Sequence, residues 1–221
     1  MKFYLTLFCL LFCHFLLAQS EIQLTTDIYH NEEEIFQSHS GTGPFDSTLA
    51  MTVKYQPIKN LRLQINKVIG KELDYFKGWN EDGEAHITVV TPVEYFNVLN
   101  SKLSMKEIDA IAERYDIQSS KINVLGIGSG KLSINGKNED TYFVIVDSAD
   151  LRLIRLMIFY EFTRRGGERT AFDPTWFFPH ITIGYTKRDL HEADGIKKNL
   201  KYSFDNRFKL KFFSSKNRTD Q

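Results

Sequence analysis

Two hydrophobic periods, near 2 and near 3.6 residues, divide most of the chain into strands and helices. Over 48–57, Leu49, Met51, Val53 and Tyr55 alternate with smaller or polar partners as far as Pro57, which predicts a strand. Over 58–76, Leu61, Ile65, Val68, Ile69, Leu73 and Phe76 fall at helical spacing. A polar loop at 79–83 leads into a β-branched run over 84–91, a second strand that Pro92 stops. Ser104 and Glu107 make a capping-box pattern that opens a helix to about Tyr115. Strands over 121–134 and 141–147 flank Asn135-Gly136, a favoured hairpin dipeptide. Ser148 caps a long helix with Leu151, Ile154, Met157, Ile158 and Phe162 on one face, ended by Gly166-Gly167. Pro179 leads into a strand over 181–186, then a short helix near 188–200 and a last strand near 207–213. The alternation of strands and helices runs twice, which predicts two similar lobes in one domain rather than a solenoid. Residues 20–46 sustain no period; with Asn31-Glu32-Glu33-Glu34 and Gly41-Thr42-Gly43-Pro44 they read as a loosely ordered leader with one short element at most.

The first 18 residues change the picture of where the protein works. Lys2 precedes an apolar run over 3–17, interrupted by Thr6 and His14, and Ala18-Gln19 follows. A basic start, an apolar stretch of this length and a small residue before a polar one describe a secretory signal peptide cleaved after Ala18. The run is shorter than the roughly 20 apolar residues of a membrane span, so stable membrane insertion is not expected after cleavage. Both cysteines, Cys9 and Cys13, fall inside this segment, leaving the mature chain without a disulfide or thiol nucleophile. The expected location is periplasmic or secreted. Formal net charge is zero over 221 residues. A protein that grips duplex nucleic acid through its phosphates carries an excess of Lys and Arg, so a small nucleotide or an RNA terminus is the better partner and a duplex is not expected.

The candidate chemistry sits on two strands. His86-Ile87-Thr88 and His180-Ile181-Thr182 repeat the same tripeptide 94 residues apart. Side chains i and i+2 of a strand share a face, about 6.6 Å apart. His86 and Thr88 therefore face one way and Ile87 and Val89 the other; His180, Thr182 and Gly184 likewise oppose Ile181, Ile183 and Tyr185. Phosphodiester cleavage needs one group to take a proton from the attacking oxygen and another to give one to the departing oxygen. Two imidazoles, each with an ordinary pKa near 6.5, supply that pair at neutral pH. The threonines are candidate donors to the non-bridging phosphate oxygens. The scheme calls for no metal and no organic cofactor. With six histidines, about one His-x-Ser/Thr match arises by chance, so the weight lies in the repeated tripeptide and its strand context.

Residues Glu84-Ala85-His86-Ile87-Thr88-Val89-Val90-Thr91-Pro92 and Trp176-Phe177-Phe178-Pro179-His180-Ile181-Thr182-Ile183-Gly184-Tyr185-Thr186, with Phe172-Asp173-Pro174 and Arg188-Asp189-Leu190-His191, resemble the two motif blocks of the 2H phosphoesterase superfamily, Swiss army knife RNA repair-like branch. The likeness spans about residues 47 to 212. It implies an α+β fold of two lobes, with antiparallel-rich sheets around a central groove and helices outside. It implies a phosphodiesterase acting on 2′,3′-cyclic phosphate ends of RNA or on small cyclic nucleotides. His180 would then activate water and His86 protonate the leaving oxygen, or the reverse, with Thr88 and Thr182 on the phosphate. The division expected is a signal peptide at 1–18, a leader at 19–46, a monomeric phosphoesterase domain at 47–213 and a tail at 214–221. An exported nucleotide- or phosphate-binding module without turnover is the rival reading, although binding alone does not need two proton-transfer groups.

Other features carry less. Gly126-Ile127-Gly128-Ser129-Gly130-Lys131 looks like a phosphate loop, but Leu132 follows the lysine and a strand continues, which predicts a glycine-bent strand or bulge. No His-Glu-x-x-His and no paired cysteine is present for zinc. Trp79 and Trp176 flank the motif strands as candidate base-stacking residues. His30 and His39 fall in the leader and are expected to be solvated, and His191 to cap or pack near the short helix.

Overall fold

Seven strands and five α-helices are built from these patterns in a computed structural model that describes residues 19–43, 45–77, 83–134 and 136–214. In chain order they are β1 (Ser20–Thr25), β2 (Leu49–Val53), α1 (Tyr55–Ile69), β3 (Ala85–Val90), α2 (Pro92–Asn97), α3 (Met105–Arg114), β4 (Asn123–Ile134), β5 (Lys137–Asp147), α4 (Ala149–Arg164), β6 (His180–Tyr185), α5 (Leu200–Ser203) and β7 (Phe208–Phe213). β2 pairs antiparallel with β3, β4–β5–β6 form an antiparallel sheet, and β1 pairs parallel with β7. This is a mixed α+β fold. The apolar run 3–17, Trp79 and Asn135 lie outside the described residues. Among the described residues no helix is long and apolar enough to cross a membrane.

The core follows the strand alternation. Ile87 and Val89 of β3 and Ile181 and Ile183 of β6 are buried, and Met51 of β2 sits opposite Ile87. The helices close over this layer through Leu61 and Ile65 of α1, Ile108 of α3, and Leu151, Ile154 and Ile158 of α4, all fully buried. Ser148 accepts from the Leu151 amide as the N-cap of α4, and Ser104 and Glu107 complete the capping box of α3.

Four segments differ from the sequence expectation. The strand expected as far as Pro57 ends at Val53, and α1 takes Tyr55 and Pro57 into its first turn and stops at Ile69 rather than near Phe76. The leader supplies β1, which registers along the whole of β7 and buries Ile22 and Leu24. Its partner lies nearly the full chain away, so no local period announces the pairing. Past β3, Pro92 does more than stop a strand: Thr91 and Glu94 form a reciprocal capping box with Pro92 at the first helical position, opening α2. The region 188–200 holds a short 3-10 turn at Glu192–Asp194, and the α-helix starts only at Leu200. The glycine-rich stretch 126–130 is part of β4, with a register shift between Val124 and Gly126.

One glycine bears directly on the site. A Cβ at Gly184 would lie 2.8 Å from the Asp74 carbonyl oxygen and 2.9 Å from the Leu73 Cβ. Its absence lets β6 take the segment after α1 against its edge, where Asp74 and Tyr185 exchange both backbone hydrogen bonds.

Candidate active site

β3 and β6 carry the two motif histidines, and β5 hydrogen-bonds only β6 of the two. In the β2–β3 ladder His86 lies opposite Thr52 and Thr88 opposite Ala50. A small residue at 50 leaves space above Thr88. A cavity of about 470 Å³ opens there, lined among others by Thr88 and His86 from β3, His39 from the leader, and Thr182, Asp189 and His191 from β6 and the segment after it. His86, Thr88 and Thr182 are thus brought to one cavity. His180 and Trp176 are not among its lining residues.

His86 is aimed by Glu84, two residues earlier and just ahead of β3. The Glu84 carboxylate lies 3.1 Å from Nδ1, so that nitrogen carries the proton and Nε2 is left for a ligand. Phe76 packs edge-on against the ring at 5.5 Å between centroids. His39 stands 6.4 Å from the His86 ring, and its buried Nδ1 has no hydrogen-bond partner among the described residues. The backbone holds it there: the Thr48 amide donates to the His39 carbonyl, and Ser38 hydrogen-bonds Asp109 of α3. Burial, and then the neighbouring His86, push the His39 imidazole below its ordinary pKa. The expectation that His39 is solvated is therefore corrected; His30 is exposed and pairs with Glu32.

His180, half-buried and not among the cavity's lining residues, has a different environment. Its Nδ1 lies 2.8 Å from the Phe178 carbonyl, which fixes the proton on that nitrogen. Its Nε2 lone pair receives Lys198 Nζ at 3.1 Å. Lys198 also donates to both oxygens of Asp189 at 2.8 Å. The same carboxylate accepts from the Thr141 hydroxyl at 2.6 Å and from the Thr182 hydroxyl at 2.9 Å. Burial drives His180 well below the ordinary imidazole value, Lys198 pushes the same way, and Asp189 opposes both without reversing them. Burial raises Asp189, but the Lys198 charge and its hydrogen bonds outweigh it and the carboxyl stays ionised. His180 is consequently neutral at pH 7, with its lone pair on Nε2.

The network also engages Thr182, a cavity-lining residue expected to meet the phosphate. A hydroxyl has one proton, and here it goes to Asp189 rather than into the cavity. Trp176 is exposed; its indole N–H donates to Glu192 at 2.7 Å, and Lys197 lies 4.9 Å above the ring. His191 starts the 3-10 turn, its backbone N–H donating to Asp194 at 2.9 Å, and it also borders the cavity.

Glu84, Asp189, Lys198 and His39 were not assigned roles from sequence. Glu84 was legible two residues before His86, where the strand expected over 84–91 places both on one face. Asp189 and Lys198 lie nine residues apart in irregular backbone, where no period marks a buried pair.

A second depression, about 340 Å³, lies between α3 and α4, but its Glu107, Glu161, Arg164 and Arg165 pair with one another.

A family model described as Swiss Army Knife, 2H phosphoesterase domain, matches residues 47–191. No curated protein and no solved structure was found to match the chain.

Proposed function

The chain belongs to the Swiss Army Knife 2H phosphoesterase family, and from that premise we propose that it hydrolyses 2′,3′-cyclic phosphate ends of RNA or small cyclic nucleotides through His86 and His180. The observation that carries this reading is the unlike setting of the two imidazoles. His86 borders the cavity with its ring fixed by a carboxylate on Nδ1, which suits a proton donor to the leaving oxygen. His180 is neutral with its lone pair on Nε2, which suits a proton acceptor.

In the proposed reaction His180 takes a proton from water as its oxygen attacks phosphorus. The bond from phosphorus to one ribose oxygen breaks, and His86 protonates that oxygen as it leaves. A nucleoside 2′- or 3′-phosphate and a free hydroxyl result. Thr88, on the cavity wall, is the better placed threonine to meet a phosphate oxygen, since Thr182 gives its proton to Asp189. We read the cavity as the groove between the two lobes. Its volume of about 470 Å³ matches a small-ligand pocket, which supports a mononucleotide or a chain end over a duplex.

We also propose export, with Gln19 as the mature N-terminus. β1 begins at Ser20, so cleavage after Ala18 leaves every strand among the described residues intact. N-terminal sequencing of protein from its native host is expected to start at Gln19, and an intact Met1 would overturn this.

The activity test is hydrolysis of 2′,3′-cyclic and 3′,5′-cyclic nucleotides and of an oligoribonucleotide with a cyclic end, followed by phosphorus NMR, with and without a chelator. The 2′,3′-cyclic phosphates are expected to open at a rate indifferent to the chelator. Failure to open any of them, or complete loss of activity on chelation, would overturn the proposal.

A further inference from the structure

Lys198 is buried, with a side chain 3% exposed, and it lies past the residues the family model matches. A buried ammonium costs several kcal/mol before a counter-charge offsets it. Packing against the Phe143 ring, 5.2 Å away, would be served as well by an uncharged side chain. All its donors are aimed at the site: two contacts on Asp189 and one on Nε2 of His180. That last contact sets the tautomer a base needs and at the same time occupies the lone pair a base must use. The two requirements are compatible only if the ammonium leaves Nε2 when substrate arrives. Thr182 and Asp189, which Lys198 and its network touch, also line the cavity, where a competing anion would enter.

Resting on the phosphodiesterase reading, we propose that Lys198 is a positioning residue that caps Nε2 of His180 in the empty site and is drawn off it by the phosphate oxygens of the substrate. The base is then exposed only in the loaded enzyme. No bond to the lysine forms or breaks; an ammonium hydrogen bond moves from a ring nitrogen to a phosphate oxygen, and the substrate charge balances the ammonium that Asp189 balanced alone. The charged and titratable groups acting on the pair are Asp189, His191 and Asp194, and Thr141 and Thr182 complete the ring of hydroxyls on Asp189.

The experiment is nitrogen-15 NMR of the His180 ring through a pH titration, with and without inorganic phosphate, in the wild type and in Lys198→Met and Lys198→Arg. In the wild type, phosphate is expected to move the Nε2 signal. In Lys198→Met the titration of His180 is expected to rise by about one pH unit or more, because a like charge has gone, and phosphate is expected to leave Nε2 unmoved. Lys198→Arg should keep the titration low. An Nε2 signal indifferent to phosphate in the wild type, or an unchanged titration in Lys198→Met, would overturn the proposal. The wild-type arm stands even if the methionine variant does not fold. Where a cyclic phosphate is hydrolysed, Lys198→Met should lower kcat by about 10- to 100-fold and carry the acid limb of the pH profile upward with it; a lysine that only packs would leave the limb in place. A protein with no phosphodiesterase activity would refute the functional reading, while the NMR result would still decide for or against the cap.

Discussion

Replacing Arg155 by methionine should be among the most destabilising single changes in the chain. Arg155 is 1% exposed on the inner face of α4. Its guanidinium donates to the Val89 carbonyl at the end of β3 at 2.6 Å, and to the carbonyls of Asp173, Pro174 and Trp176 at 3.1 to 3.2 Å. It also meets both oxygens of Glu94 in α2, at 2.8 and 3.2 Å. One side chain therefore ties the strand bearing His86 to the segment that leads into the strand bearing His180. Methionine fills part of the volume but takes the guanidinium from four carbonyls and from a carboxylate, of which Asp173 keeps the Trp176 N–H and Glu94 its Thr91 bonds. Glu94 is 23% exposed and can recruit water, so the lower part of the range for a broken buried pair applies to it, while the carbonyls have less recourse. A loss of about 3–5 kcal/mol is expected, which lowers the melting temperature by roughly 6–20 °C for a chain of this size. Removing the stranded carboxylate as well should recover part of the loss, so Arg155→Met with Glu94→Gln should unfold no earlier than Arg155→Met alone. The assay is urea unfolding followed by circular dichroism, with scanning calorimetry as a check. A shift below about 2 °C, or fully additive losses in the double variant, would refute the reasoning.

Three further outcomes follow from the same geometry. His39, His180 and His191 are all held below the ordinary histidine value, burial being the largest cause for each. Below about pH 6.5 the unfolded chain binds protons that the folded chain does not, so stability should be full above pH 6.5 and fall as the pH drops below it; a urea midpoint unchanged or higher at pH 5.5 than at pH 7.5 would contradict this. His39→Gln removes a second imidazole from the wall beside His86 and should raise KM or lower kcat by about 3- to 30-fold without unfolding the protein; kinetics equal to wild type would mean that His39 only fills space. Thr88→Val should cost more of kcat/KM than Thr182→Val loses by missing phosphate contact, about 1.5–3 kcal/mol for a hydrogen bond to a charged group, and Thr182→Val should act by loosening Asp189; the reverse order would contradict the assignment of the Thr182 proton.

Local signals carried a large part of this architecture. The caps at Ser104 and Ser148, the period-2 runs around Ile87 and Ile181, and the repeated His-Ile-Thr all act over a few residues, and each marks an element or motif seen in the fold. Thr91-Pro92-Val93-Glu94 carries a complete helix-start signal too, but the proline also ends a strand, and the stop masked the start. What local pattern could not supply was long-range pairing of polar groups. β1 finds β7 through backbone hydrogen bonds across the length of the chain. Arg155, Asp189 and Lys198 look like ordinary surface charges in sequence, because charged residues are almost never fully buried unless paired, and their partners are named by the fold alone. His39 belongs to the same class: its segment lacks a period and is placed by Ser38 and Thr48 rather than by its own hydrophobicity.

The central claim is that His86 and His180 act as one acid–base unit on a phosphodiester. Its most direct test is the rate of hydrolysis of a 2′,3′-cyclic nucleotide by the wild type, His86→Ala, His180→Ala and the double variant across pH 4 to 9. Each single change is expected to cost about 100-fold or more, the double change little beyond the worse single, and the bell-shaped profile of the wild type should lose one limb in each single variant. Full activity in His180→Ala, or losses that multiply in the double variant, would contradict the account.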